Sequence, residues 1–281
     1  MAVSLKRDGV EISSHSLNPI DALASAWQHR ELIGHLVKRE ILSRYRGSFL
    51  GILWSFLQPL IMLAVYTVVL GYFLHFKWEG TNNSLEYSLI LFAGLILFNF
   101  FAECVSRAPN LVLANPNYAK KIVFPMDILP WVIVIAGLFH MVLSLIAWGI
   151  FNLLVHHDIH WTIIFLPLLI CPLALMALGV CWFLCAAGVY FRDVNQIVTP
   201  ALQALMFLSP LFYSIRGFPP SIQRLLMVNP LTYVVEQARS VMVHGSPPEA
   251  GLWLYWLASF VVAWLGFAWF QHTRDGFADV L

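Results

Sequence analysis

Between Lys38 and Leu74 the chain passes from K-R-E-I-L-S-R-Y-R to an uncharged apolar run, and no other stretch restricts its folding as tightly. The cations Lys38, Arg39, Arg44 and Arg46 stand just before residues 49–74, which contain no Asp, Glu, Lys or Arg. As a helix that run rises about 39 Å at 1.5 Å per residue, enough to cross a hydrocarbon core of about 30 Å with some tilt. Basic residues resist translocation, so the block before the run is expected on the cytoplasmic side. The stretch therefore predicts a membrane-spanning helix and its direction of insertion.

Composition agrees with a bilayer solvent. Of 281 residues, 60% are hydrophobic and only 11% charged, against about 25% charged in a soluble domain. The net charge of +1 gives no basic footprint for nucleic acid. Cys104, Cys171, Cys181 and Cys185 fall in or beside apolar runs and have the character of small packing residues rather than a disulfide framework. The first eleven residues lack an apolar core of the signal-peptide kind, so the first span is expected to act as its own insertion signal.

Residues 1–17 are polar and without periodicity, which predicts a loose tail. Asn18-Pro19-Ile20-Asp21 reads as a helix start, with Asn18 as N-cap and Pro19 in the first position. Ile20, Leu23, Ala24 and Trp27 share one face of an amphipathic helix that suits a membrane surface or a soluble partner subunit. Six spans are expected after it, at about 49–74, 86–107, 127–155, 161–190, 194–215 and 252–271. Pro200 and Pro210 in the fifth predict kinks.

Placing the amino terminus inside puts twelve of the sixteen Lys and Arg residues on the cytoplasmic side. Lys77, Arg216, Arg224 and Arg239 are left outside. That asymmetry favours both termini in the cytoplasm and an even number of spans. The segment 216–249 is too polar to span and too apolar for a free loop. Asn229-Pro230 divides it into two short helical patterns, which fit half-helices dipping into the outer leaflet.

No G-x-x-x-x-G-K-[ST] phosphate loop occurs, so P-loop binding of ATP by this chain is excluded. H-E-x-x-H and G-x-S-x-G are absent too. His156, His157, Asp158 and His160 could ligate a metal, yet they occupy an expected outer turn where polar residues belong. His140, deep in the third span, is expected neutral and facing protein or a cavity. Glu103 and Arg107 are expected to pair with each other or with the loop that follows them. Ala177, Cys181 and Cys185 repeat every four residues with Gly188 beyond, a pattern that serves packing within one subunit or a seam between two copies. The loop from Ala108 to Lys121 is helix-sized, partly apolar and cationic at its end, as a docking or a plain surface helix would be. Aromatics crowd the expected outer ends, among them Tyr72, Trp78, Phe212 and Tyr213. Interfacial anchoring and a carbohydrate exit both account for them.

Four blocks in order carry a family resemblance over nearly the whole chain. They are L-V-K-R-E-I-L-S-R-Y-R-G-S-F-L-G-I-L-W-S-F-L-Q-P-L from Leu36, A-N-P-N-Y-A-K-K-I-V-F-P at 114–125, Y-F-R-D-V at 190–194, and F-L-S-P-L-F-Y-S followed by V-N-P-L-T-Y-V-V-E-Q-A-R. The chain resembles the permease subunits of type 2 ATP-binding-cassette exporters of bacterial surface polysaccharides (O-antigen, teichoic acid and capsule), with wording nearer the O-antigen and teichoic branch.

The resemblance implies an all-α integral membrane protein of the bacterial inner membrane. Residues 1–48 would form a cytoplasmic tail and amphipathic interface helix, and 49–281 a six-helix permease domain. It implies a coupling helix at about 110–121, an outer re-entrant helix pair at about 217–243, and a homodimer working with two ATPase subunits. Those subunits would hold ATP and Mg, leaving this chain without a cofactor, metal or catalytic residue. The cargo would be a polysaccharide on a polyprenyl diphosphate. Arg44, Arg46, Tyr72, Trp78, Phe212 and Tyr213 are then candidates for contact with it, and Asn115, Pro116, Tyr118, Lys120 and Lys121 for contact with the ATPase. A drug or small-lipid exporter shares the six-span plan. A membrane transferase or hydrolase centred on His156–His160 is a third reading.

Overall fold

The computed structural model describes residues 5–7, 10–12, 19–73, 84–115 and 124–280. Near the amino terminus, β1 (Leu5–Arg7) pairs antiparallel with β2 (Val10–Ile12), with Lys6 opposite Glu11. A tail without periodicity was expected there. Cross-strand pairing of apolar Leu5 with Ile12 and of Lys6 with the oppositely charged Glu11 accounts for the difference. The proposed cap Asn18 lies outside the described residues.

Helices α1 (Pro19–Gln28) and α2 (Arg30–Tyr45) follow, meeting at His29. Ile33 and Leu36 bury against Ile128 and Val132, with Ala26 and Val37 at the edge of that cluster. Ser25 Oγ donates to Asp127 Oδ2 at 2.5 Å, and Trp182 Nε1 donates to the Asp127 carbonyl at 3.0 Å. Leu23 and Trp27 stay exposed, so the predicted apolar face of α1 points away from the bundle.

Among the described residues, five helical stretches are long and apolar enough to cross a membrane: Gly51–Phe73, Leu85–Asn110, Met126–His156, Trp161–Tyr190 and Leu252–Gly276. The first contains α3 (Trp54–Tyr66) and ends in π-helical winding over Thr67–Phe73. The others contain α4 (Ser84–Arg107), α5 (Leu129–His156), α6 (Leu166–Tyr190) and, as the last, α10 (Leu252–Thr273). The centre of the bundle is α4: 83% of its most apolar window is buried, against 11% for the first span. Gly179 and Gly266 let α6 and α10 touch along their backbones, since a Cβ on Gly266 would lie 2.0 Å from the Gly179 carbonyl oxygen. Ala177, Cys181 and Cys185 are fully buried inside the subunit, and a Cβ on Gly188 would meet the Pro109 carbonyl oxygen at 2.1 Å. The small-residue stripe therefore packs within one chain.

The expected fifth span is shorter than the 194–215 read from hydropathy. Helix α7 (Val194–Leu208) has 15 residues and stops where Ser209 turns extended at ψ 141. Pro210 explains the stop, because its ring disfavours helical backbone in the residue before it. Two short helices follow, α8 (Pro220–Met227) and α9 (Pro230–Met242). Asn229 separates them as predicted, its Oδ1 accepting from the Leu231 N–H at 3.0 Å. A final turn, α11 (Phe277–Val280), closes the described chain.

Candidate functional site

Helical spacing assembles a polar cleft of about 330 Å³ at the junction of α2 with the first three spans. Ser55, Gln58, Met62 and Tyr66 recur every three or four residues on α3, and so occupy one face. Phe92, Ile96, Asn99 and Glu103 do the same on α4, as do His140 and Ser144 on α5. The last turn of α2 supplies Arg44 and Tyr45. Tyr87 through Phe98 are all buried, and Asn99 then opens to the cleft. The side-chain amides of Gln58 and Asn99 form no hydrogen bond with described residues, an expensive arrangement in a spanning segment unless water or a polar ligand meets them.

The charged end of the cleft is closely paired. Arg44 donates to Glu103 from 59 residues away in sequence. His140 Nδ1 lies 3.0 Å from Glu103 Oε1 and 2.9 Å from Arg44 Nη1, while its Nε2 lies 3.2 Å from the Tyr45 hydroxyl. A proton on Nδ1 is donated to Glu103; without it, Nδ1 accepts from Arg44. The Tyr45 hydroxyl serves the other ring nitrogen in either case, as donor or acceptor. Burial pushes the Tyr45 phenol above its ordinary value. His140 thus faces both protein and cavity. Glu103 has Arg107 at 3.8 Å, but Arg107 also reaches Glu40 on α2.

The other predicted contact residues lie apart from this cleft. Arg46 caps α2 and is exposed. Tyr72 is exposed in the π-helical segment, edge-on to Phe73. The Phe212 carbonyl accepts from the Tyr87 hydroxyl at 3.2 Å, and the Tyr213 hydroxyl donates to the Phe207 carbonyl at 2.9 Å. Tyr87 and Glu103 are sixteen residues apart on α4, about 24 Å along its axis, so Phe212 and Arg44 mark opposite ends of the bundle. Trp78, Pro116, Tyr118, Lys120 and Lys121 lie outside the described residues. Asn115 closes a turn by donating from Nδ2 to the Leu111 carbonyl at 2.9 Å. No group of three His, Cys, Asp or Glu suited to a metal exists among the described residues; His160 instead packs against Gly245. Sequence reasoning missed Tyr45, Gln58 and Asn99. Their signal was two amides inside apolar runs and a tyrosine between two arginines.

Residues 31–243, which include every cleft residue, match the ABC-2 type transporter family. The chain belongs to that family. As an ABC-2 transporter chain it is a membrane transport component rather than an enzyme. It is 27% identical over 256 residues to the O-antigen export system permease protein RfbA of Myxococcus xanthus, covering 90% of this chain and 96% of that one. It is also 27% identical to the polysialic acid transport protein KpsM of Escherichia coli, over 85% of this chain and 92% of the other. The capsule polysaccharide export inner-membrane protein CtrC of Neisseria meningitidis is 22% identical, over 90% and 94% of the two chains. The likeness runs nearly end to end in each case.

Proposed function

We propose that this chain is the permease of an ATP-driven exporter that moves a lipid-linked, O-antigen-like polysaccharide across the bacterial inner membrane. The observation that carries the reading is the near full-length likeness to three relatives, named for O-antigen export, polysialic acid transport and capsule polysaccharide export. Two copies form the conduit with two ATPase subunits, which bind the ATP and Mg that this chain has no phosphate loop to hold. Both termini are cytoplasmic. The chain beyond Leu208, through residue 215, completes a sixth crossing, and α8 with α9 forms a re-entrant pair over the exit.

The chemistry of the cleft supports that cargo. A sugar chain is dense in hydroxyl groups, and the free amides of Gln58 and Asn99 are donors and acceptors for them inside an apolar wall. Arg44 at the edge of the cleft and Arg46, exposed just beyond it at the end of α2, suit the diphosphate of the lipid carrier. At the other end Tyr72, Trp78, Phe212 and Tyr213 offer flat faces to sugar rings leaving the membrane. The loop carrying Asn115, Pro116, Tyr118, Lys120 and Lys121 seats on the ATPase.

Purifying the chain from its native membrane in mild detergent and identifying co-purified molecules by mass spectrometry tests the reading. A P-loop ATPase and a polyprenyl diphosphate glycan are expected. An ATPase accompanied only by lipids without sugar would overturn the cargo, and absence of any ATPase would overturn the mechanism.

A further inference from the structure

The cytoplasmic ends of α2 and α4 carry the same charge spacing. Glu40 and Arg44 stand four residues apart on α2, as Glu103 and Arg107 do on α4. Each arginine crosses to the other helix: Arg44 pairs with Glu103, and Arg107 pairs with Glu40. The pairing order reverses along the chain, so the two helices run antiparallel at this point and are tied at two places about one turn, or 5.4 Å, apart. All four side chains are partly shielded, with exposures of 41% and 18% for one pair and 34% and 27% for the other. Their charges sum to zero.

Two rungs specify a register that one rung would not. Sliding α2 along α4 by a turn in one direction sets Glu40 against Glu103. Sliding it the other way sets Arg44 against Arg107. Either slip places like charges together beside the membrane and strands the remaining two. The two helix ends are therefore held by their side chains against a one-turn ratchet, the more drastic of the shifts by which helices move past one another.

Both ends of this junction lead somewhere. Directly after Arg107 the chain enters Ala108–Asn110, whose Pro109 carbonyl abuts Gly188 of α6, and then the turn closed by Asn115. Directly after Tyr45, five residues lead into the first span, and Arg44 and Tyr45 themselves edge the cleft. We propose that the Glu40–Arg107 and Arg44–Glu103 pairs are a brace that joins the ATPase-facing loop to the cleft, making α2 and the end of α4 one moving body. Glu40 and Arg107, which do not line the cleft, are positioning residues for transport. The inference rests on the reading of that loop as the ATPase contact.

The test uses the complete complex of this chain with its ATPase subunits in proteoliposomes, measuring ATP hydrolysis and glycan export together. Glu40→Arg and Arg107→Glu each keep basal hydrolysis but lose roughly tenfold in export, within the range of coupling between sites. The combined swap Glu40→Arg/Arg107→Glu restores opposite charges on both rungs and exports better than either single variant. Because it leaves α2 cationic and α4 anionic here, a one-turn slip no longer meets like charges, and export stays below the parent. Single variants that export at the parent rate, or a swap that does not exceed both singles, would overturn the brace. A second pair guards against simple misfolding: Glu40→Cys/Arg107→Cys, made with Cys171→Ser because Cys171 is the exposed native thiol. Joined by a short thiol-reactive linker, that variant exports at the parent rate, whereas unlinked it is uncoupled. Export blocked by the linker would mean that α2 and α4 separate in each cycle and would overturn the inference. Failure of the parent complex to move glycan at all would instead sink the functional reading.

Discussion

Arg239 is the most consequential buried charge among the described residues, and its removal has a calculable effect. The side chain is 2% exposed on α9. Its Nε donates to the Ile90 carbonyl at 3.1 Å, Nη1 to the Pro210 carbonyl at 2.5 Å and Nη2 to the Leu211 carbonyl at 2.8 Å. Nη1 also pairs with Glu236 at 2.7 Å. Ile90 lies inside α4 and keeps a helical donor, but Pro210 and Leu211 lie beyond the end of α7. Arg239→Met therefore strands two buried acceptors at about 1–3 kcal/mol each. Relief of the guanidinium's own desolvation offsets part of that, leaving about 2–3 kcal/mol. At roughly 2–4 °C per kcal/mol, the thermal midpoint of the detergent-purified chain falls about 4–12 °C. Glu236→Gln keeps the three carbonyl bonds, and the Glu236 side chain is 32% exposed, so that variant melts close to the parent. An Arg239→Met protein melting with the parent would refute the assignment of Arg239 as the tie between α4, α9 and the end of α7.

Gly266→Ala drives a methyl group into the Gly179 backbone and separates α10 from α6; size-exclusion chromatography should find the variant aggregated or absent, while a normal peak would deny the close approach. Replacing Gln58 and Asn99 together by Leu leaves the thermal midpoint unchanged or higher, because two unmet amides leave an apolar wall. Glycan export falls roughly tenfold in the same variant, equivalent to about 1.4 kcal/mol from two lost hydrogen bonds. His156, His157 and His160 changed together to Ala keep full export, and zinc leaves the parent's midpoint unmoved; loss of activity would revive an enzyme centred there. Reversing Lys120 and Lys121 to Glu weakens retention of the ATPase on affinity purification, and an undisturbed complex would move the contact elsewhere.

Span positions were legible because a bilayer demands long uncharged runs, and five of them lie close to where hydropathy placed them. The end of the fifth was not. F-L-S-P-L-F-Y stays apolar past Leu208, so a hydropathy window runs on while Pro210 has already ended the helix. The hub was hidden for a related reason. The first two spans have similar mean hydropathy, 1.9 and 2.1, yet one is mostly exposed and the other mostly buried. Lipid and protein interior ask for the same side chains, so hydropathy does not separate them. Arg239 was read as an outer-side cation; its burial depends on carbonyls of Pro210 and Leu211, nearly thirty residues earlier. Glu103 and His140 stood out as polar groups in apolar runs. Their closure by Arg44 and Tyr45 rests on contacts across 59 and 95 positions that no local pattern encodes.

Reconstitution tests the central claim most directly: this chain and its ATPase subunits in sealed vesicles, loaded on one face with polyprenyl diphosphate glycan, with glycan on the opposite face counted by a lectin that does not cross the bilayer. ATP-dependent appearance of the glycan, abolished by omitting either component, is the predicted result. Movement without ATP, or ATP turnover by the complex with the glycan remaining where it was placed, would contradict it.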